Sequence, residues 1–175
     1  VMVRSAIRTW AHSTTSPKEL LTKVNPIIVR DMIPGMFVTI YYAVLDMPNK
    51  KLTCTCAGHN PAVYWSYQSR DCYLTNKGGM PLGILSGPAF ESTLKEDVID
   101  MGKGDRLLLY TDGFVETMSP DYEEFGEERL FKVVNKVAVQ RSDICIKHIV
   151  HALTSFQSTA PQHDDLTIVT LRAIS

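Results

Sequence analysis

The sequence predicts an α+β fold: antiparallel sheet packed with helices. Three observations predict it. Helical periodicity is confined to the first ~32 residues and to residues 127–156. Between them the chain reads as about six short strands, divided by turns rich in Gly, Pro, Asn and Asp. A single apolar strand then closes the chain. Strands in a run and helices in a run, rather than strict alternation, favour antiparallel pairing with helices stacked on the sheet. No repeat and no linker divides the 175 residues, so residues 1–175 are expected to form one domain of ordinary size.

Each element has its own reason. Residues 1–12 carry Val3, Ile7 and Trp10 at helical spacing, with no capping residue before them. The sequence therefore reads as starting inside a helix, as a piece of a longer polypeptide. Ser16-Pro17-Lys18-Glu19 opens a second helix: Ser16 is the N-cap, Pro17 the first helical position, and Glu19 completes a capping box. Leu20, Val24, Ile27 and Ile28 form its apolar face, and Pro26 is expected to kink or divide it. It ends near Met32, before Pro34-Gly35. Residues 36–45 are β-branched and aromatic, residues 46–50 form a turn, and residues 51–57 alternate, which predicts a hairpin. Residues 62–67 and 72–75 read as a second strand pair. Residues 77–87 hold four glycines and a proline, so they read as a loop. Residues 90–99 alternate as a strand, and 101–105 turn into a buried apolar strand at 106–110. Leu130, Val133, Val134 and Val137 mark a helix over 127–139, and Ser142-Asp143 opens a last helix through Phe156. Residues 165–171 are the closing strand.

Composition excludes several functions. A formal net charge of −1 and the lack of a basic run argue against nucleic-acid binding. The longest apolar run, 36–44, is far short of the ~20 residues of a membrane span, and no signal peptide is visible. Cys54, Cys56, Cys72 and Cys145 include one Cys-x-Cys pair, but zinc needs a second pair. Reduced, partly buried thiols of a cytoplasmic protein are the simpler reading.

Two acidic motifs carry the chemistry. In Leu107-Leu108-Leu109-Tyr110-Thr111-Asp112-Gly113 a buried strand runs straight into an acid and a glycine. A carboxylate there needs a partner, either a backbone cap or a cation. Gly113 permits a sharp turn that holds the carboxylate at the strand mouth. Alone, the motif reads as a capping Asp. In His163-Asp164-Asp165-Leu166-Thr167, adjacent acids lead into a strand. They repel unless a cation or hydrogen bonds hold them, and hard oxygen donors suit Mg²⁺ or Mn²⁺. Alternation along a strand would turn only one of the pair toward a common site. A solvated turn is the competing reading. Asp46, Asp71, Asp100 and Asp105 fall in turns, and Glu123, Glu124, Glu127 and Glu128 read as a solvated helix start. His59 reads first as a loop histidine bonded to the backbone, with anion binding or acid catalysis as the alternative. No Gly-x-Ser-x-Gly elbow, P-loop or cysteine phosphatase loop is present.

Taken in order, the segments resemble a known family. Residues 104–113, then Phe125-Gly126-Glu127-Glu128-Arg129-Leu130, then Asp164-Asp165-Leu166-Thr167 resemble the PPM family of metal-dependent protein phosphatases, most closely its bacterial SpoIIE-like branch. Ala57-Gly58-His59-Asn60-Pro61 and Gly79-Met80-Pro81-Leu82-Gly83 also look like signatures of that branch. The resemblance implies two packed antiparallel sheets flanked by helix pairs. It implies a Mn²⁺ or Mg²⁺ pair that activates water to hydrolyse phosphoserine or phosphothreonine, with no covalent intermediate. By position it makes Asp112 and Asp164 catalytic metal ligands, puts Gly113 at the metal-site turn and sets Asp165 beside the second ligand. His59 and Asn60 become possible substrate-loop residues. The implied partners are a phosphorylated anti-sigma-factor antagonist and an upstream sensor domain.

Family members carry further metal-binding aspartates in an earlier strand pair, which this sequence lacks. The expectation is an inactive or nearly inactive piece of an active parent, with an exposed sheet edge that invites dimerisation. The competing function is a non-catalytic module of the same fold that binds the same kind of partner. A generic metallohydrolase is disfavoured by the lack of a His-rich ligand set.

Overall fold

The computed structural model describes residues 2–75 and 78–174. Val1 and Lys77, the first residues of the expected opening helix and of the glycine-rich loop, lie outside them. The chain forms two compact units: Val1–Pro61 with Asn76–Met101, and Ala62–Thr75 with Gly102–Ser175.

The first unit holds helices α1 (Met2–Trp10) and α2 (Pro17–Asp31), strands β1 (Ile40–Asp46) and β2 (Lys51–Ala57), a one-turn helix α3 (Pro88–Glu91), and strand β5 (Glu96–Asp100). The sheet order is β1-β2-β5, antiparallel throughout. The expected hairpin is present, closed by Asp46 opposite Lys51. Asp46 caps its turn by accepting the Asn49 N–H at 3.1 Å. Leu20, Leu21, Val24 and Ile28 of α2 pack with Ala57, Leu82 and Phe90 into this unit's core.

Four expectations in this unit need correction. Ser16 does cap α2 through the Glu19 N–H, at 3.1 Å, but the box does not close as expected. The Glu19 carboxylate accepts the Thr14 hydroxyl at 2.5 Å and pairs with Lys23 at 2.6 Å, while Thr14 Oγ1 takes the Ser16 N–H. Helix α2 runs undivided through Pro26, which sits on its exposed side. The strand expected from residue 36 begins at Ile40, because Val38 pairs instead with Leu82 in an isolated bridge. The strand expected over 90–99 begins at Glu96. Pro88 starts α3, which buries Phe90, so that side chain mimics strand alternation from a helix.

The second unit holds β3 (Val63–Ser66), β4 (Asp71–Leu74), β6 (Arg106–Tyr110), α4 (Gly126–Val137), α5 (Ser142–Gln157) and β7 (Ile168–Arg172). Its sheet order is β4-β3-β6-β7, again antiparallel. Trp65, Leu108, Tyr110 and Phe114 meet Leu130 and Val134 of α4 and Ile149 and Leu153 of α5 in the core. Apart from the inserted one-turn helix α3, the order of elements is the expected one, and the α+β class holds, with the two antiparallel sheets and flanking helices that the resemblance implied.

Strand β6 is not wholly apolar. Arg106 is fully buried, and its guanidinium donates to the Ala138 and Gln140 carbonyls at the end of α4 and to Thr170 Oγ1 on β7. Burial pushes its proton affinity down, yet four acceptors, including Ser142 Oγ, hold the guanidinium. Just before the strand, Asp105 is 7% exposed. Its carboxylate accepts the Tyr64 hydroxyl at 2.5 Å and the N–H groups of Tyr67 and Gly102, both at 2.7 Å.

Candidate active site

The site is built where β6 ends and β7 begins. The two strands pair from Arg106 opposite Arg172 to Tyr110 opposite Ile168. Beyond that last pair the ladder continues by one more backbone bond, Thr111 N–H to the Thr167 carbonyl at 3.1 Å. The Thr111 hydroxyl then does two things. It donates to the Asp165 carbonyl and accepts the Thr167 N–H, each at 3.0 Å. One side chain thus ties the first acidic motif to the second, across more than fifty residues of sequence.

After Thr111 the chain makes a single 3₁₀ turn, Asp112–Phe114. The Asp112 carbonyl accepts the N–H groups of Val115 and Glu116, both at 2.9 Å, and its carboxylate accepts the Gly113 N–H at 3.0 Å. Gly113 is not needed for an unusual backbone angle, since its φ is not positive. It is needed for space. A Cβ there would lie 2.9 Å from the Asp165 carbonyl oxygen and 3.3 Å from Asp164 Cβ. Gly113 thus lies in the expected sharp turn, and what requires glycine there is the close approach of two chain segments.

Asp164 and Asp165 precede β7 instead of lying in it, which removes the alternation argument for their directions. The Asp164 carboxylate accepts the Asp165 N–H at 2.7 Å, and the Asp164 carbonyl accepts the Gln162 side-chain amide at 2.8 Å. Asp112, Asp164 and Asp165 are all solvent-exposed. None of the three forms an ion pair among the described residues.

A cleft of about 230 Å³ opens beside Gly113 and Asp164. Its other walls are Glu116, Thr117, Met118 and Glu124 on one side, and Gln157, Pro161, Gln162 and His163 on the other. Glu124 is not in a helix start, as the sequence suggested. It lies on the return arm of a short loop braced by the Met118–Glu124 bridge, and α4 begins only at Gly126. Glu127 and Glu128 do occupy the first turn of α4. The role of Thr111 is not legible from its motif alone. Apart from Gly113 and Asp164, the cleft residues carry no local signal in the sequence, because only folding brings 113–124 beside 157–164.

His59 and Asn60 belong to the first unit. His59 Nδ1 lies 2.9 Å from the Asn60 carbonyl, and the His59 carbonyl accepts the Cys56 thiol at 2.7 Å, so the loop histidine bonds to backbone as first read. Gly58 sits against Pro81, where a Cβ would come within 2.3 Å of Pro81 Cγ, so the two signature loops are packed together. All four cysteines are free, and burial pushes the Cys72 thiol up to about 12.

Two sheets with helix pairs and an acidic mouth between adjacent strands match a described family. The family model for stage II sporulation protein E, SpoIIE, matches residues 1–174. The chain belongs to the SpoIIE family. It is a PP2C-type phosphatase domain by fold and is homologous to the phosphoserine phosphatase RsbU of Bacillus subtilis (strain 168). With RsbU it shares 26% identity over 178 residues, covering 98% of this chain and 49% of RsbU. It thus spans about half the length of that relative. Among solved structures it superposes on the SiaA-PP2C domain of Pseudomonas aeruginosa with a TM-score of 0.82, at 18% identity, over 98% of this chain and 66% of that one. The Mn-presoaked phosphatase domain of SpoIIE from Bacillus subtilis gives 0.69, at 13% identity, over 98% and 73%.

A SpoIIE-family domain implies a divalent metal. Asp112 and Asp164 offer hard oxygen donors on adjoining segments, which fits part of such a site. They do not complete it: among the described residues no three His, Cys, Asp or Glu side chains come together as a metal-binding group.

Proposed function

We propose that the chain is a serine phosphatase domain of the RsbU type, hydrolysing phosphoserine or phosphothreonine on a regulatory protein in bacterial signalling. One observation carries this reading. The Asp112 and Asp164 motifs, far apart in sequence, are tied into one mouth by Thr111. In this reading Asp112 and Asp164 are metal ligands, with the Gly113 backbone and Asp165 beside them. The ion is Mn²⁺ or Mg²⁺, and when bound it supplies a Lewis acid that activates water. The partner is an anti-sigma-factor antagonist in its phosphorylated form, met in the cytoplasm under control of a sensor domain. The His59–Asn60 loop is a candidate contact for it, and dimerisation is compatible with the reading. Residues 1–175 act as one domain here, since the family match runs through both units. In this reading further carboxylates complete the donor set, and residues 1–175 taken alone are expected to be inactive. The same incompleteness favours the second reading, a partner-binding module that has the fold without the chemistry.

The test uses the protein expressed from its complete gene. Mn²⁺-dependent phosphate release from a phosphoserine protein is measured for the wild type, Asp112→Asn and Asp164→Asn. Loss of orders of magnitude in each variant supports the site. Full activity in both would sink the site assignment, and an inactive wild type that still binds the phosphoprotein would favour the module.

A further inference from the structure

The loop that walls the cleft carries an outlier. Residues 117–125 form a tight hairpin, with Phe125 N–H to the Thr117 carbonyl at 2.8 Å, Ser119 N–H to the Glu123 carbonyl at 2.8 Å, and Tyr122 N–H to the Ser119 carbonyl at 3.0 Å. The Ser119 hydroxyl accepts the N–H groups of Asp121 and Glu123 from inside the turn. Arg129 of α4 anchors the base, donating to the Glu124 carbonyl at 2.8 Å and to the Glu123 carboxylate at 2.7 Å, with its guanidinium over the Phe156 ring. At the tip of this braced turn sits Tyr122, with φ 62 and 89% exposure.

That combination calls for an explanation. The left-handed region suits glycine, and a bulky residue held there is an outlier. The ring does not repay the strain by packing, because it stands in water. Large exposed aromatics on stiff supports are the residues that anchor protein–protein contacts, since they bring much area at little entropy cost. The hairpin also has a fixed relation to the mouth: Thr117, Met118 and Glu124 on its arms line the same cleft as Asp164.

We infer that Tyr122 is a docking residue for the phosphoprotein substrate, gripping the protein surface beside the phosphoserine while the mouth holds the phosphoryl group. This rests on the phosphatase reading above. It concerns affinity for a protein, not the chemical step, so Tyr122 is a specificity residue.

The experiment compares two substrates with the protein expressed from its complete gene: a serine-phosphorylated anti-sigma-factor antagonist from the same organism, and p-nitrophenyl phosphate. Tyr122→Gly relieves the backbone and keeps the fold, which the thermal midpoint checks. Tyr122→Ala and Tyr122→Phe complete the set. The expected result is a KM for the phosphoprotein raised about five- to tenfold in the Gly and Ala variants with kcat unchanged. The Phe variant should stay within about twofold of wild type, and the small ester should be hydrolysed equally by all four. A wild type that hydrolyses neither substrate overturns the phosphatase reading and the docking role with it. A wild type that hydrolyses the ester but not the phosphoprotein overturns the partner and the docking role. Activity on both substrates with an unchanged phosphoprotein KM in the Gly and Ala variants overturns the docking role alone.

Discussion

Strand β6 has an aspartate just outside each end, and the two are opposites. Asp105 is buried and spends its oxygens on a tyrosine hydroxyl and two backbone N–H groups. Asp112 is exposed, and among the described residues its carboxylate meets one N–H, that of its own neighbour. The residue type is the same and the strand is the same. The difference lies in what the fold has already given each carboxylate to bind. A carboxylate saturated by buried donors is a structural strut, because removing it orphans every donor. A carboxylate left in solvent beside a second acid is available for a ligand. This contrast, more than acidity as such, separates the fold-holding end of β6 from the candidate catalytic end.

The contrast can be broken at either end. The largest effect is expected at Asp112. In the complete-gene protein, Asp112→Asn should lower kcat/KM for a phosphoserine protein about a thousandfold, roughly 4 kcal/mol of transition-state stabilisation, with no fall in thermal midpoint. A variant that unfolds while keeping its activity per folded molecule would reverse the assignment. Asp105→Ala should do the opposite, costing about 3 kcal/mol in chemical denaturation by orphaning the Tyr64 hydroxyl and two N–H groups. A loss within about 0.5 kcal/mol, the size of an ordinary surface substitution's effect, would show that water replaces the carboxylate easily. Gly113→Ala should cost about 2 kcal/mol, because its Cβ meets the Asp165 carbonyl and must push the second acidic segment away. A neutral result by urea titration would mean the two segments part readily. The smallest effect concerns Cys72 on β4, whose thiol burial pushes up to about 12. Its alkylation by iodoacetamide at pH ~8 should be slow in the native protein, faster in Asp105→Ala and unchanged in Asp112→Asn, as followed by mass spectrometry.

Much of this was legible in the sequence, and the failures have specific causes. Hairpin β1–β2 was readable because its turn chemistry and its alternation agree. The start of β5 is masked in the sequence because Phe90, buried from the one-turn helix α3, falls in phase with the strand pattern that follows. The pattern carries β7 back over Asp165 because apolar Leu166 and Ile168 flank Thr167, yet residue pairing with β6 ends at Tyr110 opposite Ile168, with one further backbone bond from Thr111 to Thr167. Asp112 and Asp164 were found as motifs by their order in the chain. What sequence could not supply was the Thr111 bond that joins them, since hydroxyl partners depend on strand register. The buried charge of Arg106 was hidden in the same way. Its acceptors are the Ala138 and Gln140 carbonyls, groups that carry no side-chain identity.

The Thr111 clasp also bears on how such a site can change over time. The spacing of its two acids is stored in main-chain register rather than in side-chain packing. Point substitutions in the surrounding loops, Gly113 excepted, can alter charge and access while the β6–β7 ladder stays in step and the acids stay where they are. Adding or deleting one residue between Asp164 and Ile168 is different. It would offset one motif from the other by a residue's length, about 3.3 Å in extended chain, which is more than a coordination bond tolerates. Lineages of this domain should therefore accept many substitutions around the mouth and almost no length variation across it.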